Sequence, residues 1–142
     1  PDKPTSNTPA NHAMKTRIAA CVLFLEAAHI DDECTAEEMD HLIESVKSKF
    51  DLDSDHAAEL IELAHSERNE AIDLWQFTNH MNQHYSKEEK IEVLEIVWQI
   101  IHIDDRLDKH EDHFVHKLAS LLRLNHKELI DAKIKARKAL NT

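Results

Sequence analysis

An all-α fold, a compact bundle of about seven helices with an internal pseudo-two-fold repeat, is expected from three features of the chain. Glycine is absent from its 142 residues, which disfavours β folds whose tight hairpins lean on that residue. Apolar residues recur at helical spacing in segment after segment, and no stretch alternates with period two long enough to compete as a strand. Helix-start signals also recur. Thr35 with Glu38, Ser86 with Glu89, Asp108 with Glu111 and Asn125 with Glu128 each spell a capping box, in which a short side chain caps a free backbone N–H and the third residue reaches back.

The elements follow in order. Residues 1–10 hold all three prolines and little apolar mass, so they read as a flexible N-terminal lead before one helical domain over 11–142. The first helix spans 11–30, with Ile18, Val22 and Leu25 on one face. The second spans 35–50 and carries Met39, Leu42, Ile43, Val46 and Phe50 on its apolar side. The third, 55–68, is capped by Ser54 or Asp55, and the fourth, 73–84, by Asp73, with Leu74, Phe77 and Met81 turned inward. The fifth spans 87–103. Its segment IEVLEIVWQII (91–101) is apolar on most sides, which marks a central helix, and the first and fifth helices are the expected heart of the bundle. A sixth at 109–122, with Phe114, Leu118, Leu121 and Leu122, and a seventh at 126–140 complete the count. Trp75 and Trp98 read as core anchors, and Cys21, among Ala20, Val22 and Leu25, as core packing.

Composition narrows the function. The chain has 17 basic and 28 acidic residues, a net charge of −11, which argues against a phosphate-backbone partner and favours cations, basic proteins or simple solubility. Without glycine there is no Walker loop, GxGxxG turn or GxSxG elbow. The two cysteines, Cys21 and Cys34, make neither a disulfide scaffold nor a zinc site by themselves, which points to a reducing, cytoplasmic setting. No apolar run is long enough to span a membrane, and no secretory leader is visible, although the opening Pro1 leaves room for an upstream segment. No nucleophile–base–orienter set is readable, so the expectation is a protein that is not an enzyme.

The chemistry concentrates in a repeat. His29-Ile30-Asp31-Asp32 recurs as His102-Ile103-Asp104-Asp105, at an offset of 73 residues. The same offset lays Glu38 on Glu111 and Ile18 on Ile91, with six identities in the 21 positions from 18 to 38. Each copy is a helix, an acidic turn and a capped helix. At about 100° per residue, His29 falls on the stripe of Ile18, Val22 and Leu25, and His102 on that of Ile91, Leu94 and Trp98. Carboxylates from two such turns, brought together by pseudo-symmetry, would form an oxygen-rich pocket that needs a cation or protons to relieve it. The alternative is structural: Glu38 and Glu111 as capping residues, and Asp31 and Asp104 as turn formers.

The stretches EAAHIDDECTAEE (26–38) and QIIHIDDRLDKHE (99–111), followed by the apolar LASLLRLN (118–125), resemble the tellurite-resistance TerB-like family and the related N-terminal domain of a membrane-anchored DnaJ-type co-chaperone. The resemblance covers about residues 14–140. The family turn usually reads Ala-Asp-Gly, which places Asp31 and Asp104 on its aspartate, while Asp32 and Asp105 stand where it has glycine. Aspartate tolerates the left-handed conformation at modest cost, so the turn is kept. The resemblance implies an all-α bundle linked to tellurite and other chemical stress, without an established catalytic activity, and an acidic cluster that binds a divalent metal ion of unspecified identity. Carried over residue by residue, that cluster is Asp31, Glu38, Asp104 and Glu111; the helical wheel adds His29 and His102. Other stress-response proteins are the expected partners.

Other constellations compete. An EF-hand alignment puts Asp31, Thr35 and Glu38 at loop positions five, nine and twelve, but Ala27 and His29 fill positions one and three, and Asp32 the glycine position. Glu38-x-x-His41 and Glu62-x-x-His65 match the di-iron carboxylate spelling, but His41 and Glu62 lie off the apolar faces of their helices. His110, His113 and His116, and His80 with His84, have metal-capable spacings that also describe a solvated histidine-rich face. Cys34 beside the acidic turn is a poor nucleophile, because negative charge raises a thiol's pKa. Lys133, Lys135, Arg137 and Lys138 complement the last helix dipole or form a small basic docking patch. A protein-interaction adaptor whose acidic turns are structural only is the main alternative to a cation-binding module.

Overall fold

The computed structural model describes residues 9–30, 34–102 and 109–141. Seven helices run through them: α1 (Pro9–Ala28), α2 (Ala36–Phe50), α3 (Ser54–Glu70), α4 (Trp75–His84), α5 (Lys87–His102), α6 (Lys109–Leu121) and α7 (His126–Leu140). There is no strand among the described residues. The all-α expectation holds, and every helix boundary falls within about two residues of the reading above. The first eight residues of the expected lead lie outside the described residues; α1 begins at Pro9, a position where the missing N–H costs nothing.

The helices start where side chains satisfy orphan N–H groups. Thr35 accepts from Glu38 N while Thr35 N donates to Glu38 Oε1, both at 3.1 Å. Ser86 and Glu89 exchange the same pair at 2.9 and 3.2 Å, and Asn125 and Glu128 at 2.8 Å. At α3 the cap is Asp53, not Ser54 or Asp55: its Oδ1 accepts from His56 N and from the His56 ring, each at 2.8 Å. Asp73 accepts from Trp75 N at 2.9 Å. The Asp108–Glu111 box falls on Asp108, outside the described residues.

Helix ends are solved without glycine. Asp51 closes α2 at φ 54°, and Leu52 N donates back to Lys47 O at 2.9 Å. Arg123 follows α6 at φ 61°, with Leu124 N donating to Ala119 O and Arg123 N to Ser120 O. Both are Schellman turns in which a residue with a Cβ takes the left-handed place.

The core sits along α1 and α5. From Ala19 to Ala28 only Glu26 escapes full burial, and α1 packs against α2, α3, α4 and α5. In α5, Val93, Leu94, Val97, Trp98, Ile100 and Ile101 are buried, and the helix packs against α1, α2, α6 and α7. Cys21 is core, as expected, and burial pushes its thiol up to about 12. Trp75 corrects the sequence reading. It is 59% exposed, beside the 97% exposed Ile72, because the buried face of α4 is Phe77, Thr78 and Met81 and the indole lies around the helix from it.

Candidate functional site

Two corners carry the chemistry read from the repeat: the connection from α1 to α2 and the connection from α5 to α6. Their four aspartates, Asp31, Asp32, Asp104 and Asp105, lie outside the described residues. What flanks them is described. Glu38 and Glu111, in the first turns of α2 and α6, are only 3% and 5% exposed. A carboxylate is seldom so deep unless hydrogen bonds or a cation meet it. Glu38 Oε1 is used by the capping box, and the N-terminal end of α2 adds a favourable dipole. Among the described residues no three His, Cys, Asp or Glu side chains converge as a metal site would require.

His29, directly after α1, and His102, the last residue of α5, lie in different surroundings. His29 is half-buried, and its Nδ1 donates to Leu25 O at 2.8 Å. A carbonyl can only accept, so Nδ1 carries a proton. Its ring meets His65 of α3 edge-on, with centroids 5.9 Å apart and planes at 76°. Burial, with His29 and Arg68 nearby, holds the His65 imidazole below its usual value, and Glu62 opposes the shift. Arg68 is itself engaged: its Nε donates to Glu26 Oε1 at 2.7 Å, which ties α3 to α1. His102 instead stacks on Trp98, with centroids 5.1 Å apart and planes at 19°. Lys133 of α7 places its ammonium 5.2 Å from the other partner in that stack, the Trp98 ring.

The competing constellations sort themselves by exposure. His41 reaches α5, where its Nε2 donates to Gln99 Oε1 at 3.1 Å, and Glu62 is exposed. The di-iron arrangement needs both Glu-x-x-His pairs turned into the bundle, and Glu62 is not. His110, His113 and His116 are exposed along α6, which fits a solvated face. The rings of His80 and His84 lie 4.4 Å apart, and His80 Nε2 is bonded to Thr16 Oγ1 at 2.9 Å. In α7, Lys133 serves Trp98 and Lys135 pairs with Glu95 at 3.5 Å, so half of the supposed basic patch is spent within the molecule.

Two features carried no sequence signal. His65 is joined to the first corner by tertiary packing across 36 residues, not by its own spacing. A groove of about 760 Å³ runs between α2 and α5, with Arg17 and Lys49 set over the Phe50 ring at 5.3 and 5.7 Å and with Glu92 facing Lys49 at 3.7 Å. No described helix is long and apolar enough to cross a membrane.

Comparison with protein families matches the chain to the model described as tellurite resistance protein TerB over residues 17–134, most of the chain. The matched span includes both HIDD turns, Glu38 and Glu111. Comparison with curated proteins and with solved structures gives no match.

Proposed function

The chain belongs to the TerB family of tellurite resistance proteins, and from that membership we propose that it acts as a non-enzymatic stress-response module that binds a divalent cation. The carrying observation is the burial of Glu38 and Glu111 in the first turns of α2 and α6, each after an HIDD stretch of the sequence. Two desolvated carboxylates, each following a doubled aspartate in the chain, would make a concentration of negative charge that a divalent ion relieves. The ligand set is Asp31, Glu38, Asp104 and Glu111, with His29 and His102 at its edges. Oxygen donors of this kind suit hard cations such as Mg²⁺, Ca²⁺ and Mn²⁺. Bound between the two corners, the ion would tie the halves of the bundle together. A cytoplasmic setting and stress-response partners belong to the same proposal.

Calorimetric titration of tag-free, chelator-stripped protein with Mg²⁺, Ca²⁺ and Mn²⁺ tests it. At least one ion binds, and Asp104→Asn combined with Glu111→Gln removes that binding. Silence from all three at millimolar concentration overturns the proposal.

A second reading has its own support. The completed Thr35–Glu38 box gives Glu38 a structural task that needs no ion. Under that reading the module is a protein-interaction adaptor with structural turns, and it captures partners equally well with or without EDTA.

A further inference from the structure

We infer that a second copy of this chain docks on the side of the bundle that carries α3, where a knob made by Ile72 and Trp75 of one copy enters an apolar hole lined by Leu52, Leu60 and Leu63 of the other. The inference uses no residue of the acidic corners, so it stands apart from the cation-binding reading.

The knob is pinned in place. Ile72 is almost wholly exposed, and Trp75 more than half. Their neighbours Ala71 and Leu74 pack against the core, and Asp73 Oδ1 accepts from Trp75 N at 2.9 Å. An anchored backbone thus presents two large apolar side chains to water, and little ordering remains to be done on docking. Side chains of this kind, Trp above all, are the ones that carry interfaces.

The hole lies toward the other end of α3. It is lined by Leu60 and Leu63 from the first half of that helix, Leu52 from the α2–α3 connection and Met14 from the start of α1. Leu63 and Met14 are themselves exposed. At about 230 Å³ the hole is far larger than the roughly 10–15 Å³ that holds one water, so a side chain has room to enter. Within one chain the two features are kept apart. Helix α3 runs on from Leu63 to Glu70, about 10 Å at a rise of 1.5 Å per residue, and Ile72 lies past that end. Only another copy brings this knob to this hole.

Charge complements shape. Glu70 and Asp73 flank the knob in sequence, and Glu67 stands one turn back on α3, which disfavours an anionic lipid surface as the occupant. Arg17 lines the hole, together with Glu59 and with His56, whose ring is bonded to Asp53. The Arg17 guanidinium already lies over the Phe50 ring at 5.3 Å, and an indole entering the hole gains the same kind of contact. The net charge of −11 on each copy opposes pairing, so the association is weak and is best sought at high protein concentration.

Sedimentation equilibrium of the full tag-free chain, in EDTA and about 0.15 M salt, over about 10 µM to about 1 mM protein tests the inference. Ile72→Ser with Trp75→Ala removes the knob, and Leu63→Gln, at an exposed position, spoils the hole; Met14→Gln takes its place should Leu63→Gln unfold. Circular dichroism and urea midpoints establish which variants are folded. The unsubstituted chain self-associates within that range, and each variant weakens the association by about tenfold or more. An equimolar mixture of the two variants recovers it, because one supplies an intact hole and the other an intact knob. The emission of the exposed indole moves to the blue as the unsubstituted chain is concentrated. A chain still monomeric at about 1 mM, a folded variant that associates as before, or a mixture no better than its components overturns the inference. EDTA keeps the two proposals separable: failure of metal binding leaves this association untouched, and a monomeric chain leaves metal binding untouched.

Discussion

Arg123 holds a left-handed φ of 61° with its side chain exposed. For a residue with a Cβ that conformation costs about 1–2 kcal/mol, part of which is recovered by the two Schellman hydrogen bonds at the end of α6. Arg123→Gly removes the strain and also a positive charge that lies near Lys90. It should raise stability by about 1 kcal/mol, read as a higher urea midpoint at unchanged slope. The left-handed positions were hidden in the sequence because glycine, their usual marker, is missing, and Asp51 and Arg123 look like any polar residue between helices. Trp75 was hidden differently. Its size and apolarity argue for the core, whereas its phase along α4 argues for solvent, and phase prevailed.

Each helix has to be ended as well as begun, and α6 is ended by its neighbours. Asn82 of α4 donates from Nδ2 to Leu121 O at 2.9 Å. Lys90 of α5, 9% exposed, donates from Nζ to Leu122 O at 2.9 Å and to Asn82 Oδ1 at 3.1 Å. Burial holds the Lys90 ammonium below its usual value, with Arg123 and Lys87 adding to the effect. These bonds replace water at the exposed carbonyls of a helix C-terminus and join three helices through one amide and one ammonium. Asn82→Ala strips the clamp of its shared partner and should cost about 1–3 kcal/mol by chemical denaturation. Helix starts were legible because capping is local: the residues three apart that spell Thr35–Glu38, Ser86–Glu89 and Asn125–Glu128 make the bonds that the spelling implies. The clamp on α6 was not legible, since Lys90 to Leu122 spans 32 residues and nothing in either residue announces the other. His65 meets His29 for the same kind of reason. It sits at the edge of the apolar face of α3, and only the packing of α3 on α1 turns that edge into a neighbour of the first corner.

For the whole molecule, burial along α1 and α5 organises everything else, and it was legible because an amphipathic pattern widens visibly when a helix is covered on several sides. Such a core also sets the response to alkali. The Cys21 thiol rises from 9.0 to about 12 in the folded chain, so between those values the folded state holds a proton that the unfolded state has released. Stability is then intact below about pH 9 and falls by up to about 1.4 kcal/mol per pH unit above it. Tyr85, raised by burial from 10.0 to about 12, steepens the loss above pH 10. Urea midpoints at pH 8 and pH 10.5 should diverge, and Cys21→Ala should narrow the gap although it lowers stability at both. The two indoles add a last consequence. Trp75 stands in solvent while Trp98 is sealed in the core against His102, so the protein emits light from two unlike chromophores. A soluble quencher extinguishes the first and spares the second, and what survives is an intrinsic fluorescent gauge seated in the C-terminal part of α5.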